Sequence, residues 1–343
     1  MKHLFTLSLI SALCITLLTG CRKGSLTPQA SGKPYEVMVV IDHDLWNRPA
    51  GRAIFDVLDT DIPGLPQSEP SFHISQVAPK DFSYTMKLFR NIIEVRIDPK
   101  QFSTTRIKFS RNIYATGQIY MTINSPSEED LAQFVKAHPQ DILDLFNNSE
   151  INRLCVNLRK KYSLVTYKKT QEFFKCKLYA PAELKKSKTG DNFLWTSNDE
   201  AAGMVNICVY SYPYEGPETF NKKYIMHKRD SIMALNIPGS EPDMYMQTDT
   251  LHTDVKPIMV HGRYAYEARG LWYMRNEAMG GPFVSHSRVD EKNNRVITVE
   301  GFVYAPEKMK RGLIRRLEGS LYTLQLPDEE APALPTETEE DNN

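Results

Sequence analysis

The stretch PFVSHSRVDEKNNRVITVEGFVYA, residues 282–305, decides the fold of the second half of the chain. Segments that contain branched and aromatic residues lie on both sides of Asn293-Asn294. Asparagine tolerates the positive φ that a tight hairpin turn requires, so the pattern predicts two antiparallel strands joined at this pair. Such a hairpin indicates an antiparallel sheet with helices packed on it, which is an α+β arrangement.

The segments around this hairpin extend the same arrangement. PIMVHGRYAYEARGLWYM, residues 257–274, alternates well enough for two strands, and residues 217–239 predict a helix between Pro217 and Pro238-Gly239. Residues 306–326 predict a last helix, because an apolar residue recurs every four positions. This predicted stripe consists of Met309, Leu313, Leu317 and Leu321. Four further strands are predicted upstream, from SLVTYKK (163–169), FFKCKLYA (173–180), FLWTS (193–197) and VNICVYSYPY (205–214), with breaks at Pro181 and KKSKTGDN.

The first half of the chain reads as strands interleaved with helices. YEVMVVI (35–41), NIIEVRI (91–97) and QIYMTI (118–123) predict strands, while Ser127 and Pro139 each predict the start of a helix. The chain is therefore predicted to be mixed α/β, with an N-terminal α/β domain at residues 35–160. A C-terminal α+β domain at residues 161–326 would carry the antiparallel sheet packed with helices.

The two ends of the chain predict no globular structure. Residues 1–20 have a positive start and a short apolar core, which is typical of a signal peptide. Residues 21–34 are polar and rich in Pro, Gly and Ser, which predicts a flexible tether. Residues 327–343 are acidic and Pro-rich, which predicts a disordered tail.

Leu18-Thr19-Gly20-Cys21 resembles the lipobox of bacterial lipoproteins. The resemblance implies cleavage before Cys21, a diacylglycerol on its thiol and an acyl chain on its amine. A plain signal peptide with an incidental cysteine is the alternative. No aspartate follows Cys21 and no acidic cluster follows in the tether, which favours the outer membrane with the protein facing the periplasm. The expected membrane partner is thus the bilayer itself, reached through a lipid anchor.

Composition narrows the classes of partner. Lys+Arg and Asp+Glu both total 42, so no global field attracts nucleic acid. Cys155, Cys176 and Cys208 each sit within an apolar pattern, which favours buried free thiols, although one internal disulfide is the alternative. No metal-type spacing, hydrolase signature or phosphate-binding glycine loop is present, so no cofactor or metal is expected.

The stretch RGLWYMRNEAMGGPFVSH, residues 269–286, contains the strongest candidate ligand site. If its loop folds over the sheet, one pocket would gather five residues. An arginine would grip a carboxylate or phosphate, a histidine would act as a base, and a tryptophan would stack a ring. The candidate residues are Glu267, Arg269, Trp272, Glu277 and His286. The alternative is a structural turn beside a buried tryptophan.

Three other polar segments favour structural explanations. Asp42-His43-Asp44 is interpreted as a solvated turn, and Gln67-Ser68-Glu69 as part of a rigid connector that could also display side chains to a ligand. The basic residues of two helices, near His227–Arg229 and in residues 308–316, are interpreted as solvated faces.

Several longer motifs together resemble a family of lipoproteins of unknown function from Bacteroides-type Gram-negative bacteria. The motifs include GLPQSEPSF (64–72), RNIIEVRID (90–98), IPGSEPDMYM (237–246) and RGLWYMRNEAMGGPFVSH. The resemblance implies an envelope lipoprotein of two-part α/β architecture and carries over no catalytic residues. We therefore expect a binding or assembly module with an envelope protein or glycan as partner. The alternative is a hydrolase or transferase that acts on cell-wall or glycan material near residues 267–286.

Overall fold

The computed structural model describes residues 27–200, 203–327 and 329–330. The chain has a first half, residues 27–160, and a second half, residues 161–330, and each half is built on its own β-sheet. Helices pack on both sheets and the second sheet is antiparallel, so the predicted α+β fold class is confirmed. No helix of the described part has the length and apolar character that crossing a bilayer requires.

The first half is built on a five-stranded sheet in the order β2-β1-β3-β5-β4, parallel except for the edge strand β4. Its strands are β1 (Glu36–Val40), β2 (His73–Val77), β3 (Asn91–Ile97), β4 (Arg106–Arg111) and β5 (Ile119–Ser125). Its helices are α1 (His43–Trp46), α2 (Pro49–Leu58), α3 (Tyr84–Lys87), α4 (Glu128–Ala137) and α5 (Pro139–Lys160), with a 3-10 turn at Pro79–Asp81.

Local sequence signals account for much of this half. Residues 37–40 of the central strand β1 are apolar on both faces, as a parallel strand between two covering layers must be. Strand β3 is apolar on one face and carries Glu94 and Arg96 beside Ile92 on the other. The Ser127 hydroxyl accepts a hydrogen bond from the backbone N–H of Asp130 at 3.1 Å and so caps α4, as predicted. Pro139 is the first residue of α5, where its missing N–H is not needed.

The second half is built on a seven-stranded antiparallel sheet in the order β6-β7-β8-β12-β11-β10-β9. Its strands are β6 (Lys186–Gly190), β7 (Phe193–Ser197), β8 (Met204–Pro213), β9 (Met246–Val260), β10 (Arg263–Met274), β11 (Gly280–Asp290) and β12 (Arg295–Tyr304). Its helices are α6 (Leu164–Phe174), α7 (Lys222–Asn236) and α8 (Arg311–Leu321), with 3-10 turns at Pro217–Phe220 and Glu291–Asn293.

The predicted hairpin of residues 282–305 is β11–β12, near the centre of this sheet. Asn294 takes the positive φ of 46° at its turn. Alternate residues of β12 face opposite helices: Val299 and Val303 belong to the core under α8, while Val296 and Phe302 belong to the core under α7. The sheet is therefore covered on both faces.

The prediction of a strand at SLVTYKK is wrong, because these residues begin α6. Ser163 is the cap: its hydroxyl accepts a hydrogen bond from the backbone N–H of Thr166 at 3.1 Å. The Thr166 hydroxyl in turn donates to that of Thr196 on β7 at 3.1 Å. A cap and a tertiary hydrogen bond thus outweigh the strand preference of a short Val/Thr/Tyr run.

The predicted strand FFKCKLYA is also wrong. Its first two residues close α6, Lys175 ends the helix with a φ of 61°, and the rest forms one isolated bridge, between Lys177 and Gln325. In contrast, the break predicted at KKSKTGDN contains the exposed edge strand β6. Its lysines suit an edge strand, since charged side chains discourage further pairing.

The last helix, α8, is buried more completely than its sequence predicts. Met309 is exposed, and the buried apolar side chains follow the spacing Ile314, Leu317, Leu321. The basic face was interpreted as solvated, but Lys310, Arg311 and Arg315 are buried. The physical reason is that α8 lies between the two halves: the seven-stranded sheet covers one side and the first half covers the other.

Glu69 from the predicted connector caps this helix across the junction. Its carboxylate is fully buried and accepts hydrogen bonds from the backbone N–H groups of Lys310 at 2.7 Å and Arg311 at 2.8 Å. A carboxylate at a helix N-terminus satisfies orphan donors and interacts favourably with the helix dipole. The Arg311 guanidinium contacts the same connector, where it donates a hydrogen bond to the carbonyl of Pro70 at 2.6 Å.

Two further contacts fix α8 against the first half. The Arg315 guanidinium lies over the ring of Tyr35, 4.5 Å from its centroid. The Cys155 thiol of α5 donates to the carbonyl of Gly319 at 3.4 Å. A side chain at Gly319 would begin 2.9 Å from the Cβ of Leu154, so glycine permits the two helices to approach this closely.

The predicted tether and tail are partly structured. Pro28, Ala30 and Ser31 exchange backbone hydrogen bonds with Thr116, Leu88 and Arg90, so the flexible tether predicted over residues 21–34 is too long at its C-terminal end. Glu329, inside the predicted tail of residues 327–343, pairs with Arg288. The signal peptide, Cys21 and most of the tail lie outside the described residues.

Cys155, Cys176 and Cys208 are buried free thiols, as predicted. Burial raises the pKa of both the Cys155 and the Cys176 thiols to about 12. Both thiols are therefore protonated near neutral pH and unreactive.

We predict that Glu69→Ala lowers the free energy of unfolding by about 2–4 kcal/mol. The substitution removes two charge-assisted hydrogen bonds and leaves two buried N–H groups without partners. Urea unfolding measures the loss, and Ser68→Ala in the same connector, an exposed site, should change it by less than about 0.5 kcal/mol. An equal loss of unfolding free energy in Glu69→Ala and Ser68→Ala would contradict the stabilising role of the Glu69 cap.

Candidate functional site

Three of the five candidate residues lie together. The alternation of β10 places Glu267 and Arg269 on the sheet face that α8 covers, and His286 of β11 pairs directly with Glu267. Glu318 of α8 and Tyr322, just after it, complete the group. We call Glu267, Arg269, His286, Glu318 and Tyr322 the buried charged cluster.

Arg269 is the centre of the buried charged cluster. Its Nη2 donates to Glu267 Oε2 at 3.1 Å and also to Glu318 Oε1, while its Nε lies 3.4 Å from Glu267 Oε1. Arg315 Nη1 lies 3.7 Å from the other oxygen of Glu318, and Lys256 Nζ lies 3.7 Å from Glu267. Each carboxylate is thus matched by two cations.

This pairing governs the ionisation of the group. Burial alone would raise the pKa of Glu267, but the charge of Arg269 beside it holds that pKa far below its usual range. Burial would lower the pKa of Arg269, but Glu318 and Glu267 together raise it. Both residues are therefore charged across the physiological range, and the network is an ion-pair structure rather than a proton-transfer device.

His286 cannot meet a substrate in this conformation. It is fully buried, and its Nε2 lies 3.7 Å from Glu267 Oε2, beyond hydrogen-bond distance. Within the described part of the chain neither ring nitrogen has a hydrogen-bond partner. The ring instead packs edge-on against Tyr322, with 4.8 Å between centroids. Burial accordingly raises the pKa of Tyr322 well above its usual range.

Trp272 and Glu277 do not join the buried charged cluster. Trp272 lies three residues after Arg269, so strand alternation turns it to the opposite face, where its Nε1 donates to the carbonyl of Val303 at 3.2 Å. Glu277 lies in the turn after β10, against Gly239. The turn is tight, with the N–H of Met274 donating to the carbonyl of Met279 at 2.8 Å, so the loop does not fold over the sheet. The single predicted pocket is not assembled.

A cavity of about 380 Å³ lies beside the buried charged cluster. Its walls come from Pro63-Gly64, Lys222, the segment 251–254, Lys256, and the edges of Glu267 and Arg269. Beside it, His252 Nδ1 lies 2.7 Å from Asp249 Oδ2, in an exposed pair at the β-bulge of β9. Two cations of the wall, Lys256 and Arg269, pair with the carboxylate of Glu267.

The first half also presses on the buried charged cluster. Gly64 has a φ of +76°, and a Cβ built there would lie 2.7 Å from the Cγ of Arg269. Only glycine combines this backbone conformation with so close an approach. The loop that provides the Glu69 cap thus also holds Arg269 in place.

A second buried pair lies on the opposite face of the same sheet. Arg229 of α7 donates to Glu300 through Nε at 2.9 Å and Nη2 at 2.7 Å, and its guanidinium lies 4.1 Å from the centroid of the Phe283 ring. The interpretation of His227–Arg229 as a solvated face is correct for exposed His227 and wrong for Arg229, which is fully buried. A carboxylate in the facing strand is the physical reason.

Sequence patterns did not single out Glu318, Tyr322 or Glu300, and they indicated a solvated position for Arg229. For Glu318 a signal existed, since it follows Leu317 and shares the buried side of α8 with Ile314 and Leu321. For the Arg229–Glu300 pair we find none, because the partners are 71 residues apart and lie on different elements.

Metal chemistry finds no support in the described residues. No group of three or more His, Cys, Asp or Glu side chains is placed to hold an ion in residues 27–200, 203–327 and 329–330. Asp42, His43 and Asp44 are exposed at the start of α1, as expected of a solvated turn.

Fold and site together define a two-part α+β protein in which two of the candidate residues, Glu267 and Arg269, form a buried ion-pair network with Glu318. Residues 163–323 match the model of a family described as a domain of unknown function, DUF4837. Residues 30–159 match the model of a second such family, DUF8532. The chain is thus similar to families of unknown function, and the lipoprotein part of the predicted resemblance stays a prediction. A comparison with curated proteins gives no match.

We predict that Glu267→Gln makes stability less sensitive to acid. The folded-state pKa of Glu267 lies below that of an unfolded glutamate, about 4.3, so the carboxylate stabilises the fold above that pH. This contribution disappears as the pH falls through the folded-state value. At pH 7 the free energy of unfolding of the variant should be lower by about 3 kcal/mol, the small end of the range for a broken buried ion pair, because Glu318 still pairs with Arg269. The stability of the variant should approach that of the wild type between pH 4.5 and pH 2.

Chemical unfolding across that pH range provides the measurement. Exposed Glu291→Gln is the matched control and should follow the wild-type curve. Parallel curves for Glu267→Gln and the wild type would mean that the ion pair adds nothing specific.

Proposed function

We propose that the chain is a lipid-anchored lipoprotein of the cell envelope, attached to the outer membrane and facing the periplasm. The observation that carries the proposal is Leu18-Thr19-Gly20-Cys21 directly after a short apolar run. Acyl chains of the palmitate type on Cys21 would hold the protein at the bilayer, because each buried methylene contributes about 0.8 kcal/mol.

We further propose that the protein acts by binding or assembly rather than by catalysis. The support is the closure of the buried charged cluster, in which His286 is fully buried and Arg269 is already occupied by two carboxylates. A hydrolase or transferase acting on cell-wall or glycan material near residues 267–286 would need these groups to be free. The binding role is therefore the better supported of the two.

The outer edge of β9–β10 is the best-supported binding surface. Tyr264 is 78% exposed and pairs across the strands with Met259, itself 54% exposed. Next to them, Phe220 stacks on Tyr266 with 4.5 Å between ring centroids, at a cavity of about 380 Å³ that also contains Arg263. We call Phe220, Met259, Tyr264 and Tyr266 the aromatic edge. One exposed ring, Tyr264, and two half-buried rings beside polar groups suit a sugar ring or an envelope protein as partner.

The anchor is tested by Cys21→Ala. The variant should move from the membrane pellet to the soluble fraction and lose incorporation of labelled palmitate, because no acylated thiol remains. Cys14→Ala, in the segment predicted to be removed, is the control and should stay in the pellet. Membrane association of Cys21→Ala in high salt would overturn the anchor.

The aromatic edge is tested by Tyr264→Ala. The lipidated protein is captured from envelopes, and the partner that co-purifies with it is quantified by mass spectrometry. The amount of partner recovered with Tyr264→Ala should be at least about fivefold lower than with the wild type, because an exposed aromatic contact is lost. Tyr84→Ala removes a ring that is 68% exposed on the first half and should leave recovery unchanged. Equal recovery of the partner with the wild type, Tyr264→Ala and Tyr84→Ala would contradict the proposed binding surface.

A further inference from the structure

A groove of about 250 Å³ in the first half carries a net positive charge. It lies between the C-terminal part of α5 and the ends of β3, β4 and β5 at which Arg90, Arg111 and Ile119 lie. Its charged lining residues are all cations: Arg90, Arg111, Arg153 and Lys160. No carboxylate is among the residues that line it.

The floor of the groove is rigid. Arg153 of α5 donates from Nε to the carbonyl of Gly117 at 2.6 Å, and from Nη2 to the carbonyl of Arg90 and to Asn91 Oδ1, both at 3.0 Å. These bonds join α5 to the ends of two strands. A guanidinium held by three such acceptors keeps its position whether or not a ligand is present.

One carboxylate beneath the groove balances only part of the charge. Glu150 is buried, receives Arg153 Nη1 at 2.7 Å and lies 3.5 Å from Arg90 Nη1. Burial lowers the pKa of Arg153 to about 10; Glu150 opposes this effect, while Arg90 and Arg111 add to it by repulsion. Like charges that repel one another are stabilised by an anion between them.

The side chains of Arg90, Arg111 and Lys160 have N–H groups that are available to a ligand. The Arg90 side chain is 13% exposed, and its Nε is buried without a hydrogen-bond partner in the described structure. Within residues 27–200, 203–327 and 329–330, neither Arg111 nor Lys160 makes a side-chain hydrogen bond or an ion pair. A solvated surface face differs from this arrangement, because its arginines extend into water rather than converge on one groove.

We propose that this groove is a binding site for a phosphate-bearing anion. The planar guanidinium groups of Arg90 and Arg111 match the geometry of phosphate oxygens, and Lys160 adds a mobile charge at the rim. The volume lies below the range of about 300–1,000 Å³ typical of sites for drug-sized ligands, which favours a small anionic group.

Two sources can supply this chemistry, a free phosphate ion and the phosphate of a lipid headgroup. Gln29 lines the groove and is eight residues after Cys21, so the chain between them spans at most about 28 Å. If Cys21 is acylated, the groove lies within reach of the bilayer surface. The lipid source alone rests on the proposed anchor, and the anion site itself does not.

Calorimetric titration of the full chain in neutral detergent tests the proposal. The two probes are inorganic phosphate and short-chain phosphatidic acid, at constant ionic strength set by sodium chloride. We expect saturable one-to-one binding that Arg111→Gln weakens at least tenfold. Among the described residues, the side-chain contact recorded for Arg111 is with the Phe109 ring, whose centroid lies 5.6 Å from its Cζ, so Arg111→Gln should change the unfolding midpoint little. Binding of inorganic phosphate identifies the free ion as a source, and binding of phosphatidic acid alone identifies the lipid headgroup.

Lys108→Gln is the matched control, since it removes the same charge from the same strand at an exposed position outside the groove. It should change the affinity less than twofold, and Cys21→Ala should bind inorganic phosphate as the wild type does. If Arg111→Gln does not fold, exposed Lys160→Gln serves in its place, with a loss of at least threefold expected. Absence of saturable binding for both probes, or equal weakening by Arg111→Gln and Lys108→Gln, would overturn the proposal.

Discussion

The carboxylate of Glu69 at the N-terminus of α8 is the contact on which the arrangement of the two halves depends. It accepts from Lys310 and Arg311 in a fully buried position, where an uncapped helix end would leave donors without partners. The position of α8 then determines where Glu318 meets Arg269 and where Arg315 meets Tyr35. A residue of the first half thus positions the helix that completes the core of the second.

Each face of the seven-stranded sheet carries a buried arginine that is paired with glutamate. Arg269 with Glu267 and Glu318 lies under α8, and Arg229 with Glu300 lies under α7. Buried ion pairs contribute little net stability, but each demands its partner, because an unpaired buried charge is very costly. These pairs therefore restrict how the helices can sit on the sheet, which is a structural use of residues that resemble catalytic ones.

Sequence patterns predicted the elements whose signals are local. The Asn293-Asn294 turn between two strand-like segments predicted β11–β12, and the helix-start signals at Ser127 and Pro139 predicted α4 and α5. SLVTYKK was mispredicted because its strand preference is weak beside a serine cap and a hydrogen bond to a strand 30 residues away. For the candidate site, period-two alternation already separates Arg269 from Trp272, whereas the contribution of Glu318 requires knowing where α8 docks.

The position of α8 in the chain has a consequence for the order of folding. Glu69 is synthesised early, but its carboxylate oxygens can accept their two hydrogen bonds only after residues 310 and 311 have been added, when nine-tenths of the chain has been made. Until then the carboxylate lacks both of its donors, and the joint through α8 cannot form. A chain shortened before residue 310 would lack the joint altogether, so the C-terminal helix acts as the latch that closes the molecule last.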